Sequence, residues 1–232
     1  MVMFDPIANK KADELISRYN KGKLPPQMGA QLWHPSQLIA YDVFDRTTEY
    51  AEGFGISDSG QKWAVLQGSG RVRAPGFAET TSSGSIQKLD IGATQKDYSV
   101  YALSRSNRGS GRNHAILISY VDDRNYLYGG YYSGSIRVTK VVDGVETMVA
   151  SGDSGIFSVG KTWEWLIARV VSVWEPYDCI VVGDGVGGVR YNLNSDVDAS
   201  LFIANLTTGI MLNHGVSYLS RFFVVDEGGD WS

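Results

Sequence analysis

Hydrophobic and polar positions change their spacing near residue 40. Before it, Ala8, Ala12, Leu15, Ile16 and Tyr19 recur three or four apart, which predicts one helix with a narrow apolar stripe. Asp5-Pro6 supplies its start, because Asp caps free amides and Pro is favoured in the first turn. Asn20-Lys21-Gly22 supplies the stop, and Leu24-Pro25-Pro26-Gln27 reads as a stiff, extended linker. From Tyr41 onward, short runs rich in Val, Ile, Tyr and Trp are broken by Gly, Ser, Asn and Asp. These predict strands over Lys62–Leu66, Ser99–Leu103, Ala115–Val121, Tyr126–Tyr132, Ile136–Val142, Val145–Ala150, Trp163–Trp174, Tyr177–Val182, Val189–Leu193, Leu201–Ala204 and Val216–Val225. Asp143-Gly144 between two β-branched runs is the signature of a two-residue type I′ hairpin. No long helical pattern interrupts the series. The pattern therefore predicts an all-β, antiparallel jelly-roll sandwich over residues 41–232, preceded by a helical arm over residues 1–40.

Composition narrows the function. Of 232 residues, 43% are hydrophobic, enough to build a core and to exclude wholesale disorder. The net charge is −4; the arm carries five basic and three acidic residues, a net of +2, which leaves −6 on the body. No basic run favours nucleic acid. No stretch approaches the length of a membrane span, and Met1 to Lys23 lacks the apolar centre of a signal peptide. The single cysteine, Cys179, excludes an internal disulfide and a multi-cysteine zinc site. His34, His114 and His214 lie far apart, so no local metal-ligand spacing exists, and no cofactor is expected.

Several segments resemble catalytic motifs and fail on context. Gly183-Asp184-Gly185-Val186-Gly187-Gly188 matches a dinucleotide fingerprint, but the alternating Val189-Arg190-Tyr191-Asn192-Leu193 follows where a helix is required, so a hairpin turn is expected. Gly152-Asp153-Ser154-Gly155 has the look of a serine-protease nucleophile segment, without a suitable histidine upstream and with Ile156 in place of glycine. The three-acid strand pattern of laminarinase-type glycosidases is absent. In Trp163-Glu164-Trp165 the two indoles are expected on one strand face in the core, with Glu164 in water. No enzymatic activity is therefore expected.

The densest aromatic and polar cluster is Tyr126, Tyr128, Tyr131 and Tyr132 beside Asp122-Asp123 and Asn125. Asp122, Asn125, Tyr126 and Tyr128 form the candidate ligand-binding set, with Asp122, Tyr126 and Tyr128 on one face. Aromatic faces stack on sugar C–H surfaces, while carboxylates and amides hydrogen-bond hydroxyls. Cross-strand tyrosine packing is the alternative reading of the same pattern.

Phe44-Asp45-Arg46, then Gly55-Ile56-Ser57-Asp58-Ser59-Gly60-Gln61-Lys62-Trp63, then Gly68, resembles the opening of laminin-G-like (concanavalin A-like) domains in minor tail proteins of tailed bacteriophages. Asn125-Tyr126-Leu127-Tyr128, Val141-Val142-Asp143-Gly144 and Phe222-Phe223-Val224-Val225-Asp226 fit later elements of such domains. The match covers about residues 41–226. The resemblance implies a concanavalin A-like fold, no catalytic residues, and a place in the virion at the tail tip, made in the host cytoplasm and touching host glycans. A full set of calcium ligands does not align, and no metal is expected. The leading expectation is thus a structural tail component, the alternative a free-standing glycan-binding lectin module, and a glycoside hydrolase the least favoured. A single helix of the arm's length is marginal alone in water. Ala8, Ala12, Leu15, Ile16, Tyr19, Leu32 and Trp33 are accordingly expected to dock on a neighbouring subunit or another tail protein, in a trimer or higher ring.

Overall fold

The structure is a computed structural model that describes residues 38–47, 53–73, 76–80, 82, 84–91, 98–106, 112–153, 163–171, 179–183, 188–212 and 217–226. The candidate interface residues Ala8, Ala12, Leu15, Ile16, Tyr19, Leu32 and Trp33 lie outside the described residues, as do Ser154 and the predicted helix. Two antiparallel sheets stack face to face. One contains β1 (Leu38–Asp42), β3 (Gly70–Arg73), β4 (Phe77–Thr80), β6 (Tyr98–Ser106), β11 (Glu164–Val171), β12 (Cys179–Gly183), β13 (Gly188–Tyr191) and β15 (Ser217–Asp226). Its order is β13-β12-β11-β6-β15-β4-β3, with β1 also on β15. The other contains β2 (Trp63–Gln67), β5 (Ser85–Leu89), β7 (Arg112–Asp122), β8 (Asn125–Tyr132), β9 (Ser135–Val142), β10 (Val145–Asp153) and β14 (Leu206–Leu212), in the order β10-β9-β8-β7-β14-β5-β2. The fold is the expected all-β jelly-roll sandwich. β1 straddles the boundary drawn at residue 40.

Strand alternation gives each sheet an inner and an outer face. Ala102, Leu166, Ala168, Val170, Phe222 and Val224 of the first sheet meet Ile116, Ile118, Leu127, Val138 and Ile210 of the second in one central core. Their neighbours in sequence build a second, outer cluster on the first sheet, with Tyr41, Tyr101, Trp165 and Phe223. A third lies on the outside of the second sheet, with Leu117, Tyr126, Tyr128 and Met211. Both outer faces are apolar at their centres, which is why so many strands show no hydrophobic alternation in the sequence.

Local expectations fare unequally. Asp143 (φ 52°) and Gly144 (φ 82°) both turn through positive φ between β9 and β10, as a type I′ hairpin needs. Gly183 pairs with Gly188 across the antiparallel strands β12 and β13, and residues 184–187 of the glycine fingerprint lie outside the described residues. The predicted strand Leu201–Ala204 is instead a short helix, α1 (Ala199–Ile203). A brief apolar run cannot distinguish the two periods; here Phe202 plugs the core end, and Ser119 Oγ donates to the carbonyls of Phe202 and Asn205. β1, β3, β4 and β5 were not among the expected strands, and neither was β14, which begins three residues after α1. Gly209 is required there: a Cβ would stand 2.3 Å from the carbonyl oxygen of Gln87.

The opening segment is a closed clasp around Asp42, which is fully buried. Its carboxylate accepts both ends of the Arg46 guanidinium at 2.6 and 2.7 Å, the Trp63 indole N–H at 2.7 Å and the Phe44 amide at 2.8 Å. Burial pushes the Asp42 carboxyl upward, opposed by Arg46. Phe44 sits at φ 53°, and its ring, with Phe54, Trp63 and Phe222, makes a chain of aromatic contacts at 5.1 to 6.0 Å. Asp58 Oδ2 accepts the Val43 amide, and Ser59 Oγ both accepts from the Tyr41 amide and donates to its carbonyl. The residues that carry the family resemblance are thus engaged in closing the sandwich.

Candidate functional site

The candidate set from the sequence falls at one end of the second sheet. Tyr120, Tyr126 and Tyr128 stack in a row with centroids 6.3 and 6.0 Å apart, so the shared face is real. Tyr126 and Tyr128 are only 9% and 4% exposed, within the outer apolar cluster. Tyr128 Oη donates to Glu146, and Tyr120 Oη to Asp123. Asp122 and Asn125 are solvent-facing but committed to each other: Asn125 Nδ2 donates to Asp122 at 2.9 Å, and Asn125 Oδ1 accepts the Asp143 amide at 3.0 Å. Arg124 completes the link, donating from Nη2 to the Asp143 carbonyl while its own carbonyl accepts from Gly144. The Arg124 amide, which donates to Asp122 Oδ1 at 2.8 Å, and the Asn125 side chain hold the Asp122 carboxyl below its usual range. Four polar residues here tie the β7–β8 turn to the β9–β10 turn.

A second polar group fastens α1 to the sheet. Lys140 Nζ donates to Asp196 at 2.7 Å and Asp198 at 2.7 Å, and Tyr191 Oη donates to Asp196. Burial would lower the Lys140 amine, but hydrogen bonds to the two carboxylates outweigh it and raise it. Burial likewise opposes ionisation of Asp196, yet Lys140 and Tyr191 hold its carboxyl down. One amine thus serves two carboxylates, and the group carries a net of −1.

The outer face of the first sheet differs. The register sets Arg105 opposite Tyr218, Tyr218 opposite Glu79, and Glu79 opposite Arg71. Glu164 pairs with Ser104, which brings Trp163, just before β11, beside Arg105. A single cross-strand row therefore reads Trp163, Arg105, Tyr218, Glu79, Arg71. Trp163 is 37% exposed, so it shares the face of Trp165 as expected, but that face is the outer one and not the central core. The Arg105 guanidinium carbon lies 5.1 Å from the Trp163 ring centroid and 4.9 Å from that of Tyr218, within cation–π range. Phe77 meets Tyr218 edge-on at 5.5 Å. Glu79 is bound by Arg71 and by Arg73 at 3.2 Å. Arg105 has no carboxylate partner among the described residues: its Nε is enclosed without an acceptor. No motif search finds this row, because its members lie on strands separated by tens of residues and meet only through register. The one signal in the sequence was the paired tryptophans of β11.

Among the described residues no cluster of His, Cys, Asp or Glu could hold a metal, and no helix is long and apolar enough to cross a membrane. No family model and no curated protein matches the sequence. Similar solved structures include the carbohydrate-binding module CBM66 from Bacillus subtilis, 15% identical, with a TM-score of 0.46 over 68% of this chain and 94% of that one. The botulinum neurotoxin serotype D binding domain is 9% identical over 79% of this chain and 49% of that one, with a TM-score of 0.46. A protein of unknown function with a galectin-like fold, also from Bacillus subtilis, is 7% identical over 78% and 96%, with a TM-score of 0.45.

Proposed function

We propose that the chain is a non-enzymatic binding module that recognises a cell-surface glycan on the outer face of its eight-stranded sheet. The observation that carries this reading is the exposed Trp163 beside Tyr218 and Arg105, an aromatic platform edged by a hydrogen-bond donor. Sugar rings present a C–H face that stacks on an indole, while their hydroxyls take hydrogen bonds from the rim. Among the described residues, four carboxylates are committed to cations: Asp42 in the clasp, Glu79 with two arginines, and Asp196 and Asp198 with Lys140. A glycan array probed with purified protein tests the reading. Binding to a defined sugar that is lost in Trp163→Ala, with an unchanged melting curve, supports it; an array silent for the parent protein, or binding indifferent to Trp163→Ala, refutes it.

A second reading is a structural component of a bacteriophage tail tip, present in the virion. It is supported by the Phe44-to-Trp63 opening, which resembles minor tail proteins. In that setting residues 1–40 dock on other tail proteins or on further copies of this chain, in a trimer or higher ring, and the jelly roll faces the host. Detection of the chain by mass spectrometry in purified phage particles supports this setting; its consistent absence from them contradicts it.

A further inference from the structure

We infer that the ligand of the Trp163–Arg105–Tyr218 row carries a carboxylate, as an acidic sugar does, and that Arg105 is the residue that receives it. The inference rests on the row being the sugar-binding surface and adds the chemical class of the sugar. Three observations converge. The first is charge. The row holds Arg105 and Arg71 against one carboxylate, Glu79, a net of +1, and the neighbouring Arg73 shares that same carboxylate, on a chain whose overall charge is −4.

The second is the state of Arg105 itself. Arg46, the other arginine held over an aromatic ring in the first sheet's surroundings, has the Asp42 carboxylate at 2.6 Å. Arg105 has two rings and no acid among the described residues. Its Nε is enclosed without an acceptor, as is that of Arg46, so the two differ in the carboxylate that meets the terminal nitrogens of Arg46. A planar guanidinium fixed between rings has already lost much of its rotational freedom. Its donors then form a pre-set fork, which matches a carboxylate in a bidentate manner. The third is position. Trp163 and Tyr218 stand on either side of Arg105, so the two rings span about 10 Å, twice the strand spacing. One ring can stack on the sugar while the guanidinium takes the acid group beside it.

The test uses the full chain titrated calorimetrically with methyl glucuronide, methyl glucoside and inorganic sulfate. The expected result is that the glucuronide binds at least about tenfold more tightly than the glucoside, since a charge-assisted pair contributes roughly 1.5–3 kcal/mol. Arg105→Gln should abolish that preference with an unchanged melting temperature. Arg105→Lys, which keeps the charge and loses the fork, should retain only part of it. Equal affinity for the two glycosides, or a preference that survives Arg105→Gln, overturns the inference; sulfate competing as well as glucuronide overturns it too, since the site would then accept any anion. If the glucoside binds well, and through Trp163, the proposed function stands while the acidic-sugar assignment falls. If Trp163→Ala changes nothing for any sugar, the proposed function itself falls.

Discussion

Arg46 and Arg105 are chemically the same residue in opposite circumstances. Each lies over aromatic rings at 4.9 to 5.6 Å. Arg46 closes on the buried Asp42 carboxylate, which in turn holds the Trp63 indole and the Phe44 amide. There both terminal guanidinium nitrogens, the indole and the amide meet that carboxylate, although the Arg46 Nε is enclosed without an acceptor, and the result is a fastening at the entrance to the sandwich. Arg105 has the rings without an acid among the described residues, beside an exposed tryptophan. A satisfied buried network fixes a fold, whereas an unmatched charge on an aromatic surface leaves binding energy to be realised with something else. The pair teaches that local partner counting, more than residue type, separates structural from functional polar groups in this chain.

The largest effect should come from breaking the clasp. Asp42→Ala leaves the Arg46 charge and the Trp63 indole without their buried acceptor, and unfolding in urea should show a loss of about 3–5 kcal/mol. A loss under about 1 kcal/mol would mean that the clasp does not fasten the fold. Acid comes next. His114 is wholly buried against Tyr131 at 6.1 Å, and desolvation lowers its pKa from the usual 6.5 to about 3. Below pH 6.5 the unfolded chain takes up a proton that the folded chain refuses, so stability is full above that pH and declines as pH falls towards 3. Between pH 6.5 and 4.5 the decline should reach about 2–3 kcal/mol. His114→Phe, which keeps the stack and cannot titrate, should flatten the profile over that window.

A smaller effect is expected at the α1 fastening. Lys140→Met removes the amine from two carboxylates that are half-buried or more, and should cost about 1–2 kcal/mol by thermal or urea unfolding. The smallest is Arg105→Gln, which should change stability by less than about 0.5 kcal/mol, the lower value of an exposed cation–π contact. This order sharpens the contrast: stability follows the matched charges and ignores the unmatched one.

Much of the sandwich was legible because strand signals are local. The hairpin at Asp143-Gly144, and the strands around Tyr126, Ile136 and Trp165, follow from turn chemistry and β-branched runs. β1, β3, β4, β5, β14 and α1 were not legible: the missed strands are only four to seven residues long and rich in Gly, Ser, Thr and charged residues or lie across the arm boundary, and a four-residue apolar run fits either period. The clasp was visible in part: Phe44, Arg46 and Trp63 stood out as a pattern, while Asp42, which joins them, lay outside it. Tyr126 and Tyr128 share a face as their spacing predicts, while Tyr131 of the same cluster lies in the central core; the burial of the pair depends on neighbours in β5, β7 and β14 that sequence spacing cannot supply. The Arg105 row was invisible for a stricter reason. It exists only when β6, β11 and β15 lie side by side in one register.

The central claim is that Arg46 serves the fold and Arg105 serves a ligand. The most direct measurement is the melting temperature and the methyl glucuronide affinity of Arg46→Gln and Arg105→Gln, taken on the same preparations. The account predicts that Arg46→Gln lowers the melting temperature by several degrees, while Arg105→Gln leaves it in place and loses the glucuronide. Equal melting losses in the two variants, with affinity unchanged in Arg105→Gln, would contradict it.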